Sequence, residues 1–134
     1  MVLKRETQIM KPEYPCPCCG YLVFDEPGSY EICPICFWED DLSQLRFART
    51  TGANHVSLVE AQANFIKAGV CELRFRSNVR APAASDVREA EWRPLDESTD
   101  SVEEPVKGMD YGNTYPDDTT QLYYWRDNYW RRQS

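Results

Sequence analysis

Large apolar residues gather in three stretches of the chain, with polar ground before and between them. Residues 1–13 read as a polar leader. In the first stretch, Tyr21-Leu22-Val23-Phe24 and Ser29-Tyr30-Glu31-Ile32 flank Asp25-Glu26-Pro27-Gly28. Aromatic and β-branched residues on both sides of a Pro-Gly pair predict a short hairpin. Pro fixes φ at one central position of a type II turn, and Gly accepts φ > 0 at the next. Residues 42–56 read as irregular, with a turn at Gly52-Ala53-Asn54. The second stretch opens on Ser57-Leu58-Val59-Glu60, a capping box in which Ser57 caps the first turn and Glu60 reaches back. The helix it starts would turn Leu58, Ala61, Phe65 and Ile66 to a core and stop at Gly69, with Val56 and Ala61 as a hydrophobic staple. Residues 70–79 read as a short strand.

From residue 81 to 118 large apolar groups are scarce. Pro82, Pro94, Pro105 and Pro116 recur among many acids, the composition of a linker or an extended wrap. The third stretch is aromatic: Leu122, Tyr123, Tyr124, Trp125, Tyr129 and Trp130. Leu122, Trp125 and Tyr129 recur at helical spacing, Asp118 and Gln121 suit a cap, and Arg131 and Arg132 suit a carboxyl end. Together they predict a last helix within residues 119–134.

Charge follows the same division. The net charge is −7, yet residues 1–80 carry nine Lys/Arg against ten Asp/Glu, and residues 81–134 carry six against twelve. Residues 42–80 are locally basic, with Arg46, Arg49, Lys67, Arg74, Arg76 and Arg80 against Glu60 and Glu72. An acidic whole with a basic patch argues against broad nucleic-acid affinity and leaves room for a local contact. The amino terminus lacks an apolar run long enough for a signal peptide, and no segment suits a membrane span, so a cytoplasmic protein is expected. Hydrophobic content is 42%, and a core confined to the first part of the chain needs a staple.

The staple is written in the cysteines. Cys16-Pro17-Cys18-Cys19 and Cys33-Pro34-Ile35-Cys36 form a C-x2-C-x13-C-x2-C pattern. In a reducing compartment such a cluster reads as metal-binding or catalytic, not as a disulfide frame. Two intervening residues let one tight turn aim both sulfurs at a single ion, and two such turns complete a tetrahedron of thiolates, the usual structural zinc site. Cys19 is preferred to Cys18 as a ligand because it completes the spacing and precedes Gly20. Phe37 stands after the second pair where a residue tolerant of φ > 0 would help. Cys71 reads as a buried small hydrophobe, and His55, the sole histidine, as a loop side chain. The expected cofactor is one structural Zn2+ on Cys16, Cys19, Cys33 and Cys36, with iron as the lesser candidate. Thiol–disulfide exchange is the rival chemistry, but no βαβ pattern surrounds either pair. The expected fold is small α+β: a zinc-ribbon or rubredoxin-like hairpin module over residues 14–82, then an acidic linker or wrap over 83–118, then an aromatic-rich helix over 119–134.

The run YPCPCCGYLVFDEPGSYEICPICFWEDD resembles the cysteine-rich CPCC family of small bacterial proteins. GANHVSLVEAQANFIKAG and Val79-Arg80-Ala81-Pro82 are similar to that family's later segments, so the likeness covers about residues 14–82. The resemblance implies a zinc-ribbon-like metal module and a bacterial source. It implies no reaction.

Other residue sets carry function candidates. Glu39, Asp40 and Asp41 read as a solvated turn beside an aromatic, with hard-cation binding or acid–base work as the alternative. No Ser/His/Asp set and no phosphate-cradling glycine loop is evident, and an enzyme is not expected. Arg46, Arg74 and Arg76, with Phe47 and Phe75, could face nucleic acid, or pair with the chain's own acidic segment. Trp125, Tyr129 and Trp130 read as a docked helix or as anchors for a protein partner. The leading expectation is a non-enzymatic binding protein, in the form of an acidic immunity protein that neutralises a basic toxin such as a nuclease. Nucleic-acid binding and thiol redox chemistry are the alternatives.

Overall fold

The computed structural model describes residues 13–131, so most of the polar leader and the last three residues lie outside it. Strand β1, Tyr14–Pro15, pairs antiparallel with β2, Leu22–Phe24, with Tyr14 opposite Phe24 and Pro15 opposite Leu22. This corrects the hairpin expected around Pro27-Gly28. Tyr21 to Phe24 pairs backwards across the first cysteine pair, while Ile32 bridges to Glu39 across the second. The cysteine turns themselves reverse the chain. The N–H of Cys16 donates to Tyr21 and that of Gly20 to Cys16. The N–H of Cys33 donates to Trp38 and that of Phe37 to Cys33. Pro27-Gly28 does turn, with Gly28 at φ 71°, but it joins one ribbon to the next.

Helix α1, Leu42–Arg46, begins in ground that reads as irregular. Asp41 caps it by accepting from the Ser43 N–H, a local bond that offsets the short length. Helix α2, Leu58–Ala68, starts and stops where the sequence predicts, with the Ser57 half of its capping box formed and, among the described residues, no reach-back bond from Glu60. The Ser57 side chain accepts from the Glu60 N–H, and Gly69 closes it in the left-handed region with its N–H on the Phe65 carbonyl. Its buried face differs from expectation. Leu58, Ala61 and Gln62 are buried, Phe65 packs half-buried against the core, and Ile66 is 68% exposed. Gln62 shares the i, i+3, i+4 face, and it tolerates burial because its amide is fully engaged. Its Nε2 donates to the Pro17 carbonyl and the Tyr124 hydroxyl, and its Oε1 accepts from the Leu95 N–H.

Residues 70–79 form no strand. Leu73–Asn78 is a 3-10 helix whose flanks bond to the second cysteine turn, Cys71 N–H to the Cys36 carbonyl and Arg80 N–H to the Pro34 carbonyl. The terminal helix is likewise reduced to one 3-10 turn, Thr119–Leu122, followed by irregular turns. Leu122, Tyr123, Tyr124 and Trp125 are all buried. Four consecutive side chains cannot share one face of a helix that turns 100° per residue, so burying all four requires the chain to leave the helix. These four join the same core as all six cysteines, Phe24, Ile35, Trp38, Leu45, Leu58 and Ala61.

Candidate metal centre

Cys16, Cys19, Cys33 and Cys36 converge in the core and are fully buried. Their sulfurs all lie within 4.8 Å of one another, with Cys16 to Cys36 at 3.6 Å and Cys19 to Cys33 at 3.7 Å. Four thiolates, each about 2.3 Å from a central ion, would stand roughly 3.8 Å apart, so the two close pairs already have tetrahedral spacing. The Ile35 N–H points at the Cys33 sulfur at 3.4 Å. Burial pushes the Cys16 and Cys36 thiols up, while Cys33, receiving hydrogen bonds from Cys16, Cys19 and Cys36, is pushed down. A cation at the centre would favour the thiolate form of all four.

The two turns have matching backbones. Gly20 has φ 82° after the first pair, and Phe37 has φ 73° after the second. Phe37 therefore holds a conformation that side chains avoid, and its ring lies 4.5 Å from that of Phe75. The turns are also roofed by different parts of the chain. The carbonyls of Pro17, Cys19 and Gly20 accept from the Trp92 indole, the Arg88 Nε and the Glu89 N–H, respectively. The carbonyls of Cys36 and Pro34 are taken by Cys71 and Arg80, as described above.

Cys18 and Cys71 are buried beside the four without joining them. Burial raises the pKa of each. His55 accepts from Arg74 through Nδ1 at 2.6 Å, in an exposed loop away from the sulfurs.

These features define a closed, ribbon-like pair of cysteine turns that can hold one metal ion. Residues 14–86, more than half of the chain, match the family described as cysteine-rich CPCC, and the chain belongs to that family. No curated protein matches it. The match covers the residues that roof the second turn and stops before Arg88, Glu89 and Trp92, which roof the first.

Two of the three clustered carboxylates are taken up within the fold, while Glu39 is half-buried and bonds Asn54 through its backbone alone. Asp40 and Asp41 are buried acceptors of backbone amides: Asp40 takes the Gly28 N–H at 2.7 Å, and Asp41 takes Ser43 at 2.9 Å and Ala53 at 3.0 Å. Burial raises the Asp40 pKa to about 6. The basic patch is also largely spoken for within the chain. Arg46 pairs with Glu103, Arg49 with Glu97 and Glu104, and Arg80 with Asp86. Arg74 pairs with Glu72 beside it, while Arg76 is exposed and without an ion pair among the described residues. Of the aromatic candidates, Trp125 is buried and donates to Glu89, and Tyr129 donates to the Ser101 carbonyl. The Trp130 ring lies under the Arg46 guanidinium. Among the described residues, no helix is long and apolar enough to cross a membrane.

Proposed function

We propose that this chain is a non-enzymatic protein whose fold is held by one structural Zn2+ on Cys16, Cys19, Cys33 and Cys36, and that it acts by contact with a protein partner. The observation that carries the reading is the completeness of the centre. Four buried sulfurs lie within 4.8 Å of one another, and a four-thiolate site keeps no position for water or substrate. Zinc suits such a site because it has no redox chemistry and accepts a tetrahedron without electronic preference. Its binding energy would supply stability to a chain with little regular structure.

A partner is supported by what the surface offers once internal pairing is complete. Val106 and Met109 are exposed, and Asp110, Asp117 and Asp127 face no ion-pair partner among the described residues. Neutralisation of a basic toxin is one form such contact could take, and its support is the charge of residues 81–134 alone. That support is smaller than the sequence count implies, because Asp86, Glu89, Glu97, Asp100, Glu103 and Glu104 already face arginines of the same chain.

Elemental analysis tests the metal: one zinc per chain is expected, and a red, iron-containing protein or a metal-free folded one would refute it. Affinity capture with binding followed across salt tests the partner. A captured protein whose affinity falls with salt is expected. Binding indifferent to salt and to charge reversal at Asp110, Asp117 and Asp127 would count against the charge-led form.

A further inference from the structure

Residues 96–118 contain no helix and no strand, yet they are held at both ends. On the near side the Trp92 indole and the Leu95 N–H are fixed to Pro17 and Gln62, and on the far side Leu122 to Trp125 are buried in the core. Unstructured connections longer than about 12–15 residues are uncommon in compact domains and are usually lids, binding loops or linkers. This one lies over the end of α1 and the residues just after it. Arg46 grips Glu103 with two hydrogen bonds, 2.9 and 3.1 Å, and donates to the Thr114 hydroxyl at 2.8 Å. Its guanidinium lies 4.8 Å from the centre of the Phe47 ring, 5.1 Å from Tyr111 and 4.6 Å from Tyr115. Arg49 meets Glu97 and Glu104 at 2.5 Å each. The family match ends at residue 86, before any of these strap residues.

We propose that Arg46, Phe47 and Arg49 form a docking face for an acidic, aromatic-bearing protein segment, and that residues 96–118 are a strap that fills this face in cis. The proposal rests on the reading of the chain as a partner-binding protein and assigns that contact to a cationic face, apart from the exposed acids on which neutralisation of a basic toxin would depend. The occupant's chemistry is given by what the face already holds: a carboxylate in the fork of a buried arginine, with tyrosine rings beside it. Charge complementarity points the same way, since α1 and its neighbours offer cations and the strap offers acids. The strap's outer ion pairs are exposed and weak, so opening it costs chiefly the Arg46 contacts, the Arg93–Asp100 pair and the partly buried packing of Val102 and Tyr115. Arg49 is 40% exposed, Glu97 47% and Glu104 57%. Arg46 with Glu103 is enclosed, at 3% and 16%, and Asp100, 13% exposed, ties the strap to Arg93. A tethered strap competes at an effective concentration on the order of millimolar, so a partner must present a better version of the same chemistry or meet a loosened strap.

The test uses the full chain with its metal measured first. A wild-type chain that folds without metal would be a failure of the zinc reading and leave this one standing. In the wild type, amide exchange should be at least tenfold faster at Val106, Met109 and Thr114 than at Tyr123 to Trp125, and should speed up with salt at the strap alone. A labelled synthetic peptide of residues 96–118 is then added to wild type, to Glu97→Gln/Glu104→Gln and to Glu103→Gln. We expect binding at least tenfold tighter to the variants than to wild type, and little binding of a scrambled peptide. Should Glu103→Gln lose its metal, the double variant, changed at exposed positions, still decides. Strap amides that exchange as slowly as the core would overturn the proposal. So would equal binding of the scrambled peptide, or preferential binding of oligo-dT, which would assign the face to nucleic acid.

Discussion

Trp92 lies flat against Gly20. A Cβ on Gly20 would stand 2.5 Å from the indole, and the same indole donates its N–H to the Pro17 carbonyl at 3.1 Å. A residue beyond the family match therefore closes the first cysteine turn, and the missing side chain of Gly20 makes the space for it. Gly20→Ala should suffer twice, from left-handed strain at φ 82° and from the collision. A loss of about 2–4 kcal/mol is expected. Denaturant unfolding of the metal-loaded protein measures it.

Phe37 holds the equivalent backbone conformation in the second turn at the cost of strain. Phe37→Gly relieves about 1–2 kcal/mol of strain and loses a comparable ring contact with Phe75, so it should stay within about 1 kcal/mol of the parent. Phe75→Ala loses the contact and relieves nothing, and should cost about 1–3 kcal/mol. If both substitutions cost the same in thermal or denaturant unfolding, the strain argument fails.

The four cysteines are expected to act together. Cys33→Ser should lower zinc below one per chain and abolish cooperative unfolding, because metal binding and folding are coupled. Cys18→Ser and Cys71→Ser should keep full zinc while lowering Tm, since their side chains are buried beside the site without completing it. Metal content by mass spectrometry and a melting curve on the same samples separate the two outcomes. Chelation of the wild type should reproduce the Cys33→Ser behaviour.

Arg46→Lys keeps the charge and loses the planar fork, the bidentate bond to Glu103 and the stacking on four rings. A loss of roughly 3 kcal/mol is expected, at the low end for breaking a buried pair because Glu103 keeps some access to water. Unfolding in urea at constant ionic strength gives the figure, and a loss under about 1 kcal/mol would show that the charge alone, not the fork or the stacking, holds the site.

Asp40 should make stability depend on pH in an unusual direction. Its folded pKa of about 6 lies above the ordinary 3.8, so the folded state holds the proton more tightly than the unfolded one. Its contribution is therefore most favourable below pH 4 and is lost as pH rises from 4 to 6, by on the order of 2–3 kcal/mol. Asp40→Asn removes the titration. The stability of wild type minus variant should fall across that window and be flat from 6 to 8. Taking the difference cancels acid release of the metal, which affects both proteins.

What could be read from the sequence was what is local. The Ser57 cap, the stop at Gly69 and the C-x-x-C spacing each act within a few residues, and each is found in place. The hairpin was misplaced because Pro27-Gly28 is a visible turn signal, while a C-x-x-C turn reverses the chain just as sharply and carries no such signature. Gln62 and Asp40 are polar by composition and buried in fact, since the Pro17 carbonyl and Gly28 amide that satisfy them arrive from far along the chain. The acidic stretch reads as solvated because ion pairing across 48 to 57 residues, as between Arg49 and Glu97 or Arg46 and Glu103, leaves no periodic trace. A scarcity of apolar residues was legible there; that Arg46 would supply the stretch with an interior was not.

The roof over the first cysteine turn has a consequence for the order of events in the protein's life. Cys36 leaves the ribosome well before Arg88 and Trp92 are made, and Leu122 to Trp125 come later still. An ion reaching the nascent ribbon would meet open thiols, whereas an ion reaching the finished chain would meet sulfurs that are fully buried. A metal held there would therefore exchange only as fast as this roof opens, and a chelator would strip the wild type at that rate rather than at its own.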